Sequence, residues 1–206
     1  MFNALRKGDF RDTPGLWSSM LRDRASQFID RHGWPLEKDE CGYEIDQFDD
    51  DAAIYCTISE RQKHEASVRL RPVAADSMTE MYFGDLWREA GGDFSSSMEI
   101  TRLCSSPDLP FRRRRDAMSD LMLGACRFAM KRQMFSIIGV VYAPVARLLV
   151  KTGCPTETLA SEKTPEGELV LARWTPDECA IWEIQERRAR REDIERETPV
   201  ELPLAA

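Results

Sequence analysis

The chain has 206 residues, a formal net charge of −7 and a hydrophobic fraction of 42%. This length and composition predict one folded domain with a sizeable core and exclude an intrinsically disordered protein. The most apolar run, residues 134–150, contains Pro144 and Arg147 and falls short of the roughly 20 residues that cross a membrane. The N-terminus is charged where a signal peptide is apolar, so we expect a cytoplasmic protein without a membrane span.

Six cysteines are spread along the chain without a CxxC pair, and there are two histidines. This pattern favours neither a zinc site nor a disulfide framework, so we expect no bound metal. The acidic balance and the lack of a nucleic-acid-reading motif in the sequence also argue against a nucleic-acid partner.

The predicted elements begin with a helix over residues 14–31, which starts at Pro14 and ends near His32-Gly33. Residues 52–59 and 66–73 predict the two strands of a hairpin, joined by a polar segment. Residues 76–90 predict short helical pieces before Gly91-Gly92.

Strands and helices alternate in the second half of the prediction. In chain order these are a strand over 98–104, a helix over 112–132, an apolar strand over 134–142, a helix over 143–152, strands over 156–160 and 168–174, and a charged helix over 183–197. This order predicts an α/β domain with a mixed central sheet flanked by helices. We expect a single domain over residues 1–192 and a flexible tail over 193–206.

The net charge is concentrated in two opposite segments. Residues 37–51 contain eight acidic residues and one basic residue, Lys38, and therefore hold the whole excess of −7. Such a run often serves solubility alone, but acids that line a cleft favour a cationic ligand. The opposite segment is a block of four arginines, Arg112, Arg113, Arg114 and Arg115, at the start of a predicted helix.

A set of residues along the chain follows the ordered pattern R-x3-F-x5-W, D-x2-D, RLxP and ExxR. In this sequence the set is Arg24, Phe28, Trp34, Glu44, Asp46, Asp49, Arg69, Phe83, Glu99 and Arg102. The combination resembles the acyl-homoserine-lactone synthases, the autoinducer synthases of bacterial quorum sensing, over residues 20–155. The resemblance implies a three-layer fold like that of the GNAT N-acyltransferases.

The resemblance also implies a reaction with two substrates. An acyl thioester of acyl carrier protein or coenzyme A gives its acyl chain to the amine of S-adenosylmethionine. The carboxylate of the methionine moiety then displaces the sulfonium, which yields an acyl-homoserine lactone and methylthioadenosine. S-adenosylmethionine is thus a substrate, and no cofactor is expected.

The implied site residues divide by role. S-adenosylmethionine is assigned to Arg24, Phe28, Trp34, Asp46, Asp49, Arg69, Phe83 and Arg102, with Arg24, Arg102 and Glu99 as catalytic residues. The carboxylates suit the cationic groups of this substrate, and the arginines suit its carboxylate. Glu99 is our candidate general base, directly or through a water. Purely structural ion pairing among these residues is the alternative.

The acyl donor is assigned to the other end of the cleft. The residues 112–115 are predicted to meet an acidic carrier protein or its phosphopantetheine phosphate at a helix N-terminus, with an exposed patch that has no partner as the alternative. The acyl pocket is assigned to Met78, Met122, Ile137, Gly139, Val141 and Leu148. Gly139 is expected to leave room for a long chain, and the strand lacks the threonine of members that prefer 3-oxo chains.

Two other classes of function stay open at this point. A GNAT-like N-acyltransferase that acylates another amine from acyl-CoA is disfavoured, because PDLPFRRRR stands where its glycine-rich pyrophosphate loop would be. A non-catalytic interaction module would explain the arginine block but not Arg24, Arg69, Glu99 and Arg102.

Overall fold

The computed structural model describes residues 1–197, with side chains described for residues 1–193. Its strands are β1 (Phe2–Leu5), β2 (Ile54–Glu60), β3 (Lys63–Pro72), β4 (Met98–Ser105), β5 (Ile137–Tyr142), β6 (Thr156–Thr164) and β7 (Gly167–Trp174). Within the described residues these seven strands form one sheet in the order β1-β2-β3-β4-β5-β7-β6. Neighbouring strands are antiparallel except β4 and β5, which are parallel.

Helices cover both faces of this sheet. They are α1 (Pro14–Arg24), α2 (Met78–Tyr82), α3 (Gly84–Ala90), α4 (Phe111–Lys131), α5 (Ala143–Thr152) and α6 (Glu178–Glu197), with a short 3-10 helix at Lys7–Asp12. α1 continues as a π-helical turn, Ala25–Arg31. α1, α2 and α3 lie on one face, and α4, α5 and α6 lie on the other. The predicted α/β class, a mixed sheet between two helical layers, is confirmed.

The main core lies between the sheet and α4. Alternate residues of β2 and β3, such as Cys56, Val68 and Leu70, pack against Leu121 and Ala125 of α4. This alternation is the expected result of strands with one apolar face toward a helix. Among the described residues no helix is long and apolar enough to cross a membrane.

Several predicted boundaries differ from the structure. The hairpin turn is only Arg61-Gln62, both with positive φ. The polar residues His64 and Glu65 extend β3, because both are buried and paired, with Asp23 and Arg113 respectively. β1 was not predicted, since a four-residue strand carries little pattern of its own. α6 is helical as far as Glu197, and the rest of the predicted tail, 198–206, lies outside the described residues.

The strands β4 and β5 open a gap in the middle of the sheet. Their register contains two pairs, Met98 with Ile137 and Glu99 with Ile138. Next along β5 is Gly139, where an added Cβ would lie 2.6 Å from the Ile100 carbonyl oxygen. Beyond this close approach the two strands diverge, and the functional cavity lies in the space between them.

A β-bulge shapes β4 at the same level. Between the cross-strand pairs Ser67–Cys104 and Arg69–Thr101, β4 has one residue more than β3. Arg102, in the bulge, has a left-handed φ of 55°. This backbone conformation is costly for a residue other than glycine and re-aims the side chain of the bulged residue. Here the bulge presents Arg102 to the cavity.

Candidate active site

A cavity of about 560 Å³ passes through the sheet at the gap between β4 and β5. On the α1–α2 face it is lined by residues that include Phe28, Trp34, Asp46, Met78, Phe83 and Arg102, which we call the polar half. On the α4–α5 face it is lined by residues that include Met122, Ile137, Gly139, Val141, Leu149 and Trp174, which we call the apolar half. One continuous cavity therefore reaches both faces of the sheet.

Three arginines and three carboxylates form a buried cluster behind the polar half. Arg24 binds both oxygens of Asp49 at 2.9 Å and Glu44 at 2.6 Å. Arg69 binds both oxygens of Asp46 at 2.6 and 3.0 Å and lies 3.0 Å from Asp49. The positive and negative charges balance within the cluster. Structural ion pairing, the alternative to substrate binding in our sequence analysis, is therefore present among these residues.

Arg24 and Asp49 form a fully buried pair in the cluster. Burial alone would raise the pKa of Asp49, but the charge and hydrogen bonds of Arg24 outweigh it and hold that pKa below its usual range. Burial would likewise lower the pKa of Arg24, and Asp49 raises it above its ordinary value. Both groups are therefore charged at neutral pH, and each depends on the other.

Two charged members of the cluster reach the cavity. Arg102 donates to Asp46 at 2.7 Å and to Glu44 at 2.9 Å, and both Arg102 and Asp46 line the polar half. Arg24, Asp49 and Arg69 do not line the cavity, although we expected them to bind S-adenosylmethionine. Their place in the structure is behind Asp46 and Arg102, which they hold in position.

Aromatic side chains complete the polar half. Phe28 and Trp34 stack with ring centroids 4.9 Å apart, and Arg102 lies 5.7 Å over the Phe28 ring. Phe83, at the junction of α2 and α3, lines the cavity as well. The structure thus brings all three predicted aromatic residues to the same half of the cavity, where a flat ring can stack on them.

Glu99 takes a different position from the one expected of a general base. Its carboxylate is buried at the start of α2, where it accepts hydrogen bonds from the Ser77 hydroxyl and the Met78 amide, each at 3.0 Å, and from the Thr79 amide. It is not among the residues that line the cavity. The observed contacts make Glu99 an anchor that fastens α2 to the sheet.

The predicted acyl-pocket residues divide between the two halves. Met122, Ile137, Gly139 and Val141 line the apolar half. Met78 lies in the polar half instead, where its sulfur lies 3.6 Å from an Arg102 nitrogen.

Two expectations about the acyl pocket require correction. Leu148 is 53% exposed and points away from the cavity, because the next residue of α5, Leu149, faces inward. Gly139 allows the close approach of β5 to Ile100 and does not provide extra room, since a Cβ there would meet the Ile100 backbone.

The arginine block lies at the start of α4, and three of its side chains bind other groups of the same chain. Arg113 forms an ion pair with Glu65, Arg114 donates to the carbonyls of Pro107 and Leu109, and Arg115 pairs with Asp116. Arg112 is exposed, next to Phe111, whose side chain is 76% exposed. The outward surface of the block is therefore smaller than four arginines in sequence suggest.

Several residues of the site carry no clear signal in the sequence. Tyr55 donates to Asp49 at 2.8 Å, and Thr101 accepts from Arg69 at 3.0 Å. The register that places Thr101 opposite Arg69 is a property of the folded sheet.

Gln27 and Cys154 also line the cavity. Burial raises the pKa of the Cys154 thiol to about 12, which makes this thiol a poor nucleophile.

Comparisons with known proteins identify the family. The model of the autoinducer synthases matches residues 11–180, whereas the comparison with curated proteins found no match. The CoA-dependent acyl-homoserine lactone synthase BjaI, solved with SAM and isopentyl-CoA, has a TM-score of 0.79 and 18% identity, covering 92% of this chain and 89% of BjaI.

Two further solved structures help to place the fold. The acyl-homoserine lactone synthase LasI has a TM-score of 0.74 and 17% identity, covering 90% of this chain and 94% of LasI. An acyl-CoA N-acyltransferase from Pseudomonas aeruginosa has a TM-score of 0.58 and 15% identity, covering 84% and 98%. These likenesses show a shared fold, while the family model covers most of the chain. The chain belongs to the autoinducer synthase family, the acyltransferases that make acyl-homoserine lactones.

Proposed function

We propose that the polar half of the cavity binds S-adenosylmethionine and the apolar half binds the acyl chain, so that the amine meets the thioester in the gap between β4 and β5. The observation that carries this proposal is the single cavity through the sheet, with Asp46 and Arg102 on one face and apolar side chains on the other. Family membership and the solved complex of BjaI with SAM and isopentyl-CoA support the same pair of substrates.

The polar half matches the chemistry of S-adenosylmethionine. Asp46 offers a carboxylate to the cationic ammonium and sulfonium groups, and Arg102 offers its planar guanidinium to the carboxylate. Phe28 and Trp34 offer flat apolar surface to the adenine. Because Arg24 and Arg69 are saturated by Asp49, Glu44 and Asp46, we assign them to holding these groups in place.

The chemistry then depends mainly on position. A thioester carbonyl and an amine held side by side react far faster than the same groups free in solution. Once the ammonium has lost one proton to solvent, the amine forms the C–N bond as the C–S bond breaks, and its second proton leaves with the thiol of the carrier. The buried carboxylate of Glu99 holds Met78 and α2 against the cavity, which keeps the polar half in shape. A base role for Glu99 requires its hydrogen bonds to α2 to rearrange, so we propose that its contribution is structural.

For the donor we propose that the carrier approaches the N-terminal end of α4. Phe111 and Arg112 are exposed there, and the first amides of a helix favour a phosphate. Exposed apolar and basic side chains suit the acidic surface of an acyl carrier protein. The variant Arg112→Glu is expected to weaken the use of acyl carrier protein more than the use of acyl-CoA. Equal effects on both donors would contradict docking at this surface.

The experiment that tests the function is incubation of the purified protein with S-adenosylmethionine and a panel of acyl carrier protein and CoA thioesters. We expect methylthioadenosine and an acyl-homoserine lactone in equal amounts, measured by mass spectrometry. Acylation of another amine without methylthioadenosine would support the N-acyltransferase alternative. The comparisons do not favour this alternative, since the acyl-CoA N-acyltransferase is the weaker structural match.

A further inference from the structure

Two backbone groups of β4, the Leu103 carbonyl and the Ser105 amide, lie where a neighbouring strand would normally bind them. β4 and β5 pair at Met98 and Glu99, and farther along β4 the gap opens. Leu103 and Ser105 lie farther along, where β4 still pairs with β3 but has no partner in β5. Backbone amides and carbonyls that are removed from water need partners, so the open edge of β4 has to be satisfied by something other than β5.

The direction of these two groups follows from the alternation of the strand. The amide of Ser106 donates to the Glu65 carbonyl of β3 at 2.9 Å. The backbone groups of consecutive residues point to opposite edges of a strand, and the contacts with Gln27 agree with this for Ser105 and Leu103. The Leu103 carbonyl and the Ser105 amide therefore point away from β3 and toward the gap.

The side chain of Gln27 binds both groups. Its Nε2 donates to the Leu103 carbonyl at 3.0 Å, and its Oε1 accepts from the Ser105 amide at 3.3 Å. A primary amide carries a donor and an acceptor, as a peptide group does. Gln27 also lines the cavity, so it closes the open edge of β4 at the point where the cavity passes through the sheet.

The position of Gln27 in the chain connects it to the substrate-binding residues. It lies in the π-helical turn Ala25–Arg31, between Arg24 of the buried cluster and Phe28 beneath Arg102. The backbone that it binds directly follows Arg102, which has the strained φ of 55°. A strained conformation persists only where the surroundings hold it, and Gln27 supplies two of the contacts that hold this stretch.

We propose that Gln27 is a positioning residue for acyl transfer. Its amide takes the place of a neighbouring strand on β4, fixes the bulge that presents Arg102 and keeps the gap between β4 and β5 open for the thioester. This inference rests on the proposed function for its catalytic part, while the contact with β4 is testable without it.

The first test uses Gln27→Met, which keeps the size of the side chain and removes both hydrogen bonds. Amide hydrogen exchange at Ser105 is expected to become about tenfold faster, the equivalent of one lost hydrogen bond. The control is Gln185→Met, a change at an exposed glutamine of α6, which is expected to leave exchange at Ser105 unchanged. Unchanged exchange in Gln27→Met would overturn the inference, whatever the activity.

The second test is kinetic and uses Gln27→Met together with Gln27→Glu. In Gln27→Met, kcat is expected to fall about tenfold, and KM for S-adenosylmethionine is expected to rise by less than kcat falls, because Arg102 keeps its contacts with Asp46 and Glu44 while its bulge loosens. Gln27→Glu keeps the acceptor for Ser105 but sets a negative oxygen against the Leu103 carbonyl, and its kcat is expected to fall as well.

The outcomes separate the two proposals. Wild-type turnover in Gln27→Met, or better use of the donor, would overturn the positioning role and leave the proposed function intact. A wild-type protein that forms no lactone with any donor would overturn the proposed function, and the exchange measurement would still decide whether Gln27 holds β4.

Discussion

The two halves of the cavity are built by different physical means. The polar half depends on specific pairs of charges, in which Arg24, Asp49, Arg69, Asp46 and Arg102 each have defined partners. Removal of one partner leaves a buried charge without compensation, which is strongly unfavourable. The polar half is therefore rigid and tolerates few substitutions.

The apolar half depends on shape and packing. Met122, Ile137 and Val141 line it without any directional contact, and apolar residues of similar size replace one another at low cost. Its dimensions can change while the fold stays the same. Under the proposed function, the polar half therefore fixes S-adenosylmethionine in one position, whereas the apolar half can select the length of the acyl chain.

The largest expected effect comes from the buried end of the polar half. Arg24→Ala leaves Glu44 and Asp49 without their cation and is expected to lower the free energy of unfolding by about 3–5 kcal/mol. Arg102 lies at the cavity, where water replaces it, so Arg102→Ala is expected to cost clearly less. Urea denaturation measures both.

The matched control for this comparison is Arg88→Ala. Arg88 forms an exposed ion pair with Asp85, and its loss is expected to change stability by less than about 1 kcal/mol. Equal losses in Arg24→Ala and Arg102→Ala would contradict the division into a buried support and a contact that faces the cavity.

A second prediction concerns activity at the cavity-facing end of the cluster. Asp46→Asn and Arg102→Ala are each expected to lower kcat/KM for lactone formation by about 10- to 100-fold, the range of one hydrogen bond to a charged group. The fold is expected to persist, and circular dichroism checks this. Near-normal turnover in both variants would place the substrate elsewhere.

A third prediction concerns the apolar half and uses two neighbours on α5. Leu149 lines the cavity, while Leu148 is exposed. Leu149→Trp is expected to fill the apolar half and shift the products to shorter acyl chains, with a fall of about tenfold for the longest chain. Leu148→Trp is the control and is expected to leave the product pattern unchanged. Lactone profiles from mass spectrometry decide between them.

The smallest predicted effect is a pH dependence of stability that belongs to the polar half. The pKa of Asp49 is held below its ordinary value by Arg24, so its contribution is present above the unfolded pKa of about 3.9. The contribution is lost as the pH falls below that value. The difference in the free energy of unfolding between wild type and Asp49→Asn is therefore expected to become smaller as the pH falls below about 3.9. A difference that widens would contradict the assignment.

The sequence predicted the fold class and the membership of the polar cluster well. Of the ordered pattern R-x3-F-x5-W, the structure brings Phe28 and Trp34 to the polar half of the cavity and places Arg24 in the charged cluster behind it. The family and the mixed sheet between helices followed from this pattern and from the order of the elements.

The sequence did not predict which charged residues face the cavity. Whether Arg69 or Arg102 reaches the cavity depends on a bulge in β4, and the bulge is a property of strand pairing. Likewise, Leu148 and Leu149 are adjacent residues of the same type. Only the orientation of α5 in the fold decides which of them lines the cavity. The use of Gln27 depends on the gap between β4 and β5, which arises only in the folded sheet.

Calorimetric titration of S-adenosylmethionine into wild type, Asp46→Asn and Leu149→Trp tests whether the two halves of the cavity bind different substrates. If the two halves bind different substrates, Asp46→Asn weakens binding by about tenfold or more, as expected for a lost contact to a charged group, and Leu149→Trp leaves the affinity unchanged. Equal weakening in both variants, or weakening in Leu149→Trp alone, would contradict the claim.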